Sequence, residues 1–229
     1  MTSNSPLVDD AATFAVEDGR RVSARLELPP AARACYVLAH GAGAGMDHPF
    51  LRATALELGK LGIATLRYQF PYMERRSRRP DPPPLCHATV RAAVAEAARQ
   101  VPALPLFAGG RSFGGRMTSQ AQALSPLPGV RGLAFLGFPL HPAGRPSDTR
   151  ARHLAQVRIP LLFLQGTHDT LAERDRMEAL VRQLGAQATL SWVEDADHAF
   201  HVPARTGRND AQVRSALLQV LVAWMDSQL

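Results

Sequence analysis

The sequence is poor in cysteine and almost devoid of lysine. Its 229 residues include only two cysteines, Cys35 and Cys86, and a single lysine, Lys60, so arginine supplies nearly all of the basic charge. Two cysteines are too few for a disulfide framework or a zinc site, and we interpret both as small core residues. We predict no metal and no cofactor.

Long apolar runs are also missing. No run approaches the roughly 18 apolar residues of a membrane-spanning helix, and the first 14 residues lack the basic start and apolar stretch of a secretory signal. With 46% apolar and 20% charged residues, the composition is typical of a globular protein in aqueous solution. We therefore expect a cytoplasmic protein with no membrane partner, and the sequence does not indicate its oligomeric state.

The net charge of +6 comes from scattered arginines, apart from one cluster in residues 73–84. This cluster, MERRSRRPDPPP, is short, rich in proline and free of interleaved aromatic residues, which argues against a nucleic-acid-binding surface. We expect no nucleic-acid partner. Two interpretations of the cluster stay open: a solvated loop, or one side of a site for an acidic substrate.

Apolar runs bounded by turn residues alternate with amphipathic stretches along the chain. Residues 13–29 have the pattern of a hairpin around Asp18-Gly19. The predicted strands that follow are 34–40, 63–71, 103–110, 130–140, 159–169 and 188–198, and the stretches of helical pattern are 48–62, 86–100, 112–124, 147–157, 171–185 and 208–229. This alternation predicts a mostly parallel sheet with helices on both faces. Residues 1–229 contain no repeat or interdomain linker, so we predict a single three-layer α/β domain.

The chemistry of such sheets lies beyond the carboxyl ends of the strands. The strand at 103–110 runs into GRSFG at residues 110–114, which matches the G-x-S-x-G pattern of a nucleophile elbow. In so tight a turn Ser112 is strained and exposed, and side chains at the flanking glycines would collide. The helix N-terminus beneath it favours developing negative charge. The alternative is a glycine-rich packing turn; Ser119 is a poorer nucleophile because it lies further along the helix.

A serine nucleophile needs a base, and the base needs an orienting carboxylate. Asp169 follows the strand at 159–169, and His198 follows the last strand, which gives the order Ser, Asp, His expected for this fold. The alternatives are a turn aspartate and a surface histidine. His201 is a rival base, and Asp195 and Asp197 are rival carboxylates that lie too close in sequence to His198.

A tetrahedral oxyanion needs backbone amide donors. We predict them at Phe113, directly after the nucleophile, and at Ala42, in the loop HGAGAGMDHPF that follows the strand at 34–40. The rival interpretation, a phosphate-binding loop, fails because the glycine spacing matches neither phosphate motif. The residues predicted to contact the substrate are Gly41, Gly43 and Arg111, although Arg111 could instead pack the rim.

These residues resemble the α/β-hydrolase superfamily over nearly the whole chain. More narrowly, the chain is similar to the dienelactone-hydrolase-like group named for a testis-expressed protein and a histone-acetyltransferase-complex subunit. The segments that carry the resemblance are AHGAGAGMDHPF, RYQFPYMERRSRRPDPP, GGRSFGGRM, GFPLHPAGRP, LQGTHD and EDADHAF. The resemblance implies a three-layer α/β-hydrolase fold with Ser112, His198 and Asp169 as catalytic triad and the Ala42 and Phe113 amides as oxyanion hole. Dienelactone hydrolases proper use a cysteine nucleophile, so Ser112 argues against dienelactone as substrate.

The resemblance also implies an open site. Lid-bearing relatives insert a cap where this chain has only HPAGRPSDT, so we expect no cap or a minimal one. The rim would come from residues 44–50, 72–84 and 140–148, which carry Arg75, Arg76, Arg78, Arg79, His48 and His141.

The favoured function is a cofactor-free serine hydrolase that acts on a small-molecule acyl substrate, a carboxylic ester, through an acyl-enzyme. A thioesterase or peptidase with the same triad is a second hypothesis, because leaving-group preference depends on pocket shape. A third is a non-catalytic binding or scaffold protein, because a fold does not fix a function. The intact triad counts against the third.

Overall fold

The computed structural model describes residues 8–229, with side chains described from residue 11 onward. The strands are β1 (Val8–Ala15), β2 (Arg21–Leu28), β3 (Ala34–Ala39), β4 (Ile63–Tyr68), β5 (Leu106–Arg111), β6 (Val130–Leu136), β7 (Leu161–Gly166) and β8 (Ala188–Val193). The helices are α1 (Pro49–Lys60), α2 (Pro71–Glu74), α3 (Pro83–Gln100), α4 (Phe113–Leu124), α5 (Arg174–Leu184) and α6 (Asp210–Asp226). The prediction on a secretory signal rests partly on residues 1–7, which lie outside the described part. No helix within residues 8–229 combines the length and apolarity needed to cross a membrane.

The eight strands form one sheet in the order β1-β2-β4-β3-β5-β6-β7-β8. The hairpin β1–β2 pairs antiparallel, and β2 pairs antiparallel with β4, whereas the remaining neighbours are parallel. The chain order reverses between β3 and β5, because α1 leads outward from β3 to β4 and α3 crosses back to β5. Ligands of open α/β sheets bind beyond the strand ends at such a reversal. The predicted α/β class with a mostly parallel sheet is confirmed.

Helices cover both faces of this sheet. Apolar residues of α3, α4 and α5 form one buried layer with the sheet, and those of α1 and α6 form the other. The central strands β3, β4 and β7 are buried along their whole length, as their nearly continuous apolar sequences predict. The buried thiols of Cys35 and Cys86 are free, and burial raises the pKa of each to about 12. Both are therefore the core residues that the sequence predicts.

One predicted helical stretch is wrong. Residues 147–157 form only a 3-10 turn at Arg152–Gln156, and neither Ser147 nor Asp148 caps it. The buried apolar residues of this segment, Ala151, Leu154 and Val157, recur every three residues, which suits a 3-10 turn better than an α-helix. In contrast, α6 begins with a capping box in which Asn209 and Gln212 each accept a hydrogen bond from the other's backbone amide.

A buried ion pair joins the hairpin to the parallel part of the sheet. The guanidinium of Arg67 on β4 binds the carboxylate of Glu27 on β2, and both side chains are 3% exposed. Arg67 Nη1 also donates to the carbonyl of Met46 at 2.6 Å. The loop after β3 is therefore tied to the strand beside it.

Candidate active site

Ser112 occupies a strained turn between β5 and α4. Its φ of 48° and ψ of −113° are rarely adopted by a residue with a side chain. A Cβ at Gly114 would lie 2.7 Å from the Ala39 Cβ, and one at Gly110 would lie 2.8 Å from the Ala39 nitrogen. The flanking glycines are thus required, as the sequence predicts. A side chain at either position would collide with Ala39 at the end of β3, however, and not with a side chain at the other position.

The structure brings Ser112, His198 and Asp169 together. His198 Nε2 lies 2.8 Å from Ser112 Oγ, and His198 Nδ1 lies 2.7 Å from Asp169 Oδ2. Because the carboxylate only accepts, Nδ1 carries a proton and donates it to Asp169. In the tautomer with its proton on Nδ1, Nε2 is the acceptor for the serine hydroxyl. The Asp169 side chain is fully buried, whereas that of His198 is 23% exposed and reaches the solvent side of the site.

A residue that sequence reasoning missed, Gln165, holds the carboxylate. Its Nε2 donates to Asp169 Oδ2 at 2.5 Å, and its Oε1 accepts from the Phe138 amide at 2.9 Å. The Leu171 amide donates to the other carboxylate oxygen at 2.8 Å. Gln165 is fully buried on β7, and a lone amide in the apolar run LLFLQG is the signal that could have found it.

The rival acid and base residues are engaged elsewhere. His201 pairs with the exposed Asp210 at 2.9 Å. Asp195 binds Arg205 at 2.7 Å, and Asp197 Oδ1 accepts the amides of Ala199 and His201 within the loop after β8. Asp169 reaches His198 because β7 and β8 are neighbours in the sheet.

Both predicted oxyanion donors lie at the cleft beside Ser112. Ala42 and Phe113 line this cleft together with the serine. Within residues 8–229, neither of their backbone amides donates to another protein group. Gly41 adjoins the site, since a Cβ there would lie 4.0 Å from the Ser112 Cβ. The Gly43 amide donates to the Tyr72 hydroxyl at 3.2 Å, so this amide is engaged within the protein and not open to a substrate.

His40 was not predicted from the sequence as a functional residue, and it holds the loop after β3 in place. Its Nδ1 lies 2.7 Å from the carbonyl of Gly41, and its Nε2 accepts the Phe70 amide at 3.1 Å. Burial lowers the pKa of His40 to about 4, so the ring is neutral at pH 7. A neutral ring with one donor and one acceptor matches both partners.

Arg111 points away from the cleft lining. Its Nη2 donates to the carbonyl of His198 at 2.9 Å, and its guanidinium lies 4.8 Å from the Phe50 ring centroid and 5.7 Å from that of Phe200. The two rings are stacked against each other. These contacts correspond to the packing alternative for Arg111 and connect it to the loop that carries the base. They give no support to the prediction that Arg111 contacts the substrate.

A second serine–histidine pair joins Ser119 on α4 to His153 in the 3-10 turn at Arg152–Gln156. Ser119 Oγ donates to the carbonyl of Arg116 at 3.0 Å and lies 2.8 Å from His153 Nε2. Because the hydroxyl proton is directed at the carbonyl, His153 is the donor in this pair. Among residues 8–229, no carboxylate binds His153, and burial together with nearby Arg116 lowers its pKa to about 4. In a catalytic triad the serine donates to the histidine, and a carboxylate binds the other ring nitrogen. The Ser119–His153 pair has neither feature.

The cleft beside Ser112 has a volume of about 460 Å³. It is lined by Ala42, Pro80, Asp81, Pro83, Ser112, Phe113, Arg116, Met117, Pro139, Arg150 and Leu171. The loop at 72–84 contributes to its rim, as predicted. His141 does not: it is buried, and its Nε2 lies 2.6 Å from a Glu173 carboxylate oxygen. Arg75 of the arginine cluster binds Asp81 at 2.5 Å.

Known structures with the same fold include three hydrolases. A dienelactone hydrolase from Anabaena variabilis is 21% identical, with 98% of this chain and 100% of that chain covered and a TM-score of 0.79. An α/β serine hydrolase without lid from Xanthomonas campestris is 23% identical, with 96% and 98% covered and a TM-score of 0.72. An esterase domain of a Rhodothermus marinus protein is 17% identical, with 95% and 98% covered and a TM-score of 0.72.

At these identities the likeness is one of fold, and the family follows from the sequence match. Residues 32–226 match the family model described as an alpha/beta hydrolase domain. This match includes β3 to β8 and every residue of the site described above. The eight-stranded sheet, the short segment after β6 and the family match agree with the resemblance stated from the sequence, and the chain belongs to the α/β hydrolase family.

Proposed function

We propose that the protein is a serine hydrolase that cleaves carboxylic esters of small molecules through an acyl-enzyme. The observation that carries this proposal is the hydrogen-bonded series from Ser112 Oγ through His198 to the buried carboxylate of Asp169. The series ends at an open cleft, so the nucleophile is accessible to a substrate. The same geometry recurs on several unrelated folds as the machinery of acyl transfer.

In the acylation step, Ser112 Oγ attacks the ester carbonyl while His198 Nε2 takes the hydroxyl proton. The Asp169 carboxylate stabilises the imidazolium that forms. The tetrahedral oxyanion accepts hydrogen bonds from the amides of Ala42 and Phe113, each of which is worth about 100- to 1,000-fold in rate at sites of this kind. His198 then gives its proton to the leaving alkoxide oxygen, the C–O bond breaks, and the acyl group stays on Ser112.

In the deacylation step, water takes the place of the alcohol. His198 Nε2 removes a proton from the attacking water, the oxyanion again faces the two amides, and the proton returns to Ser112 Oγ as the acyl bond breaks. The products are a carboxylic acid and the free enzyme. The only groups required are the side chains and amides named above.

The preference for an ester over a thioester or amide is supported by the similar structures. Two of them are a dienelactone hydrolase and an esterase domain. The absence of a long segment between β6 and the 3-10 turn at Arg152–Gln156 favours small substrates that need no lid-formed pocket. The thioesterase and peptidase hypotheses differ from this proposal only in the leaving group.

Hydrolysis of p-nitrophenyl acetate and butyrate by the parent and by Ser112→Ala tests the proposal. We expect the substitution to lower kcat/KM by about 1,000-fold or more, because the nucleophile is lost. Ser119→Ala is the matched control: it removes a serine of the same helix that pairs with a histidine, and we expect activity to persist. A parallel panel of a butyryl thioester and a butyryl anilide ranks the leaving groups. A parent that cleaves none of the esters would contradict the proposal.

A further inference from the structure

Two arginines without a carboxylate partner line the cleft beside Ser112. They are Arg116 on α4 and Arg150 in the segment before the 3-10 turn. Among residues 8–229, no carboxylate oxygen lies within ion-pair distance of either guanidinium. By contrast, Arg67 on β4 and Arg75 in the loop after α2 each bind a carboxylate. Unpaired and half-buried cations beside a nucleophile call for a ligand of opposite charge.

Arg116 is held where it can reach a substrate. Its amide donates to the Ser112 carbonyl at 3.1 Å, so the two residues lie one helical turn apart. Its guanidinium lies 5.6 Å from the Phe113 ring centroid, which keeps the side chain against the cleft wall. Its Nε is buried and has no hydrogen-bond partner. Arg111 Nη1 is also buried without a hydrogen-bond partner, so what distinguishes Arg116 is its place in the lining of the cleft beside Ser112.

A second positive charge lies close to Arg116. Burial lowers the pKa of Arg116, and the nearby charge of Arg150 lowers it further. Burial, together with the charge of Arg116, also lowers the pKa of His153 and His87, so both rings favour the neutral form. An anion placed between Arg116 and Arg150 would relieve the repulsion between these two charges.

The carboxylate that shares this cleft is already engaged. Asp81 accepts hydrogen bonds from Arg75 at 2.5 Å and from the Tyr72 amide at 2.7 Å, and its side chain is 4% exposed. It therefore does not neutralise Arg116 or Arg150. Arg75 is engaged by the same contact, and the arginines that line this cleft are Arg116 and Arg150 rather than those of the cluster at 73–84. The acidic-substrate interpretation therefore passes from the cluster to these two residues.

We propose that the ester substrate carries a second, anionic group, a carboxylate or a phosphate, which binds Arg116 and Arg150 while the ester carbonyl lies at Ser112. This inference rests on the proposed function and names its substrate class. Residues one helical turn apart have Cβ atoms about 6 Å from each other, so a small substrate can contact both Ser112 and Arg116. Guanidinium groups bind carboxylate and phosphate in a bidentate geometry.

The test compares two esters that differ in one charge. The p-nitrophenyl hemiester of glutarate carries a carboxylate, and p-nitrophenyl pentanoate has the same chain length without it. We expect the parent to favour the anionic ester in kcat/KM, and Arg116→Met and Arg150→Met each to lower this preference by about 10- to 100-fold, as expected for loss of a charge-assisted hydrogen bond. Because Arg150 lies outside the helices, its substitution keeps α4 intact.

Arg152→Met is the matched control. It removes one positive charge two residues from Arg150, but its exposed side chain lines a different depression, so we expect the ratio for the two esters to stay within about twofold. Inhibition of pentanoate ester hydrolysis by glutarate and by inorganic phosphate separates the two anions: the stronger inhibitor identifies the group that the arginines accommodate.

The outcomes separate this inference from the proposed function. If the parent cleaves the neutral ester through Ser112 but shows no preference for the anionic one, or if both arginine variants keep the preference, the anionic-substrate inference is overturned and the hydrolase proposal stands. If the parent cleaves neither ester and Ser112 takes up no fluorophosphonate, both are overturned. A preference that falls in Arg116→Met and Arg150→Met but not in Arg152→Met supports the inference.

Discussion

Among single residues, Arg111 stands out because it contacts the backbone of His198, the proposed base. Its guanidinium donates to the His198 carbonyl and lies against two aromatic rings. We expect Arg111→Met to lower kcat for ester hydrolysis by about 10- to 100-fold with little change in KM, because a displaced base misaligns proton transfer. Arg111→Met should also shift the pH profile of kcat, because the environment of His198 changes. Arg111→Lys, which keeps the charge, should recover part of kcat and restore part of the parent's pH profile.

The same measurement distinguishes positioning from substrate binding. If Arg111 contacts the substrate, as the sequence analysis predicts, the substitution should raise KM and leave kcat near its parent value. Arg131→Met is the control, since exposed Arg131 also donates to a backbone carbonyl, but at the far end of the sheet. A large KM effect with unchanged kcat would contradict the positioning role.

His40 is a residue whose protonation should affect folding. Burial lowers its pKa from 6.5 to about 4, whereas an unfolded histidine keeps a pKa near 6.5. Between these values the unfolded chain binds a proton that the folded chain does not. The free energy of unfolding therefore decreases as pH falls from about 6.5 to about 4, by about 3 kcal/mol in total from this group.

Urea unfolding at pH 7 and pH 5 of the parent and of His40→Asn checks this prediction. The variant should be less stable at pH 7, because it loses the acceptor for the Phe70 amide. Between pH 7 and pH 5, the free energy of unfolding should fall by about 1 to 2 kcal/mol less in the variant than in the parent. His201→Asn, at an exposed histidine, should keep the parent's pH dependence. If the free energy of unfolding falls equally in the parent and in His40→Asn between the two pH values, His40 is not the source of the pH dependence.

The three residues of the Ser112–His198–Asp169 series could be predicted from the sequence because each follows an apolar run at a recognisable turn. Ser112 has flanking glycines, and Asp169 and His198 follow in the order that parallel strands impose. Gln165 gives one signal, a lone amide in the apolar run LLFLQG, but no recognised motif indicates its partner 27 residues away or the partner of His40, 30 residues away. The contact of Arg111 with His198 spans 87 residues and was equally invisible.

At the scale of elements, the close packing of α4 on β3 fixes the position of Ser112 above the sheet. Gly114 allows this approach, since a Cβ there would lie 2.7 Å from both the Ala39 carbonyl carbon and its Cβ. We expect Gly114→Ala to lower the free energy of unfolding by about 1–3 kcal/mol, to lower Tm by several degrees, and to reduce esterase activity as α4 shifts.

Gly41→Ala is the control for thermal unfolding. Its added Cβ would meet its neighbours at 3.6 Å or more, which is ordinary contact, and Gly41 has no positive φ. Its Tm should therefore lie close to that of the parent. Equal Tm values for Gly114→Ala and the parent would show that α4 can move away from β3 without cost.

Elements with a strong periodic pattern could be predicted. The strands and α1, α3, α4, α5 and α6 were found with shifts of a few residues at their ends. The helical interpretation of 147–157 was wrong because its buried apolar residues recur every three residues, a spacing that suits a 3-10 turn. The four-residue α2, Pro71–Glu74, carries too little sequence to show a pattern.

At the scale of the whole molecule, the reversal of strand order at β3 and β5 assembles the site. The loop after β3 supplies Ala42, and the turn after β5 supplies Ser112 and Phe113. The alternation of strands and helices predicts the fold class, but it does not specify that β3 lies between β4 and β5, because many parallel orders satisfy the same pattern. The single domain over residues 1–229 stays a prediction.

The central claim is that Ser112 is the nucleophile, and mass spectrometry of a fluorophosphonate adduct tests it most directly. Trypsin cleaves after Arg111 and Arg116, so Ser112 falls in the peptide SFGGR and Ser119 in the next one. Activation by His198 predicts one adduct per chain, in SFGGR, and none in Ser112→Ala. An unlabelled parent protein, or an adduct in the peptide that contains Ser119, would contradict the account.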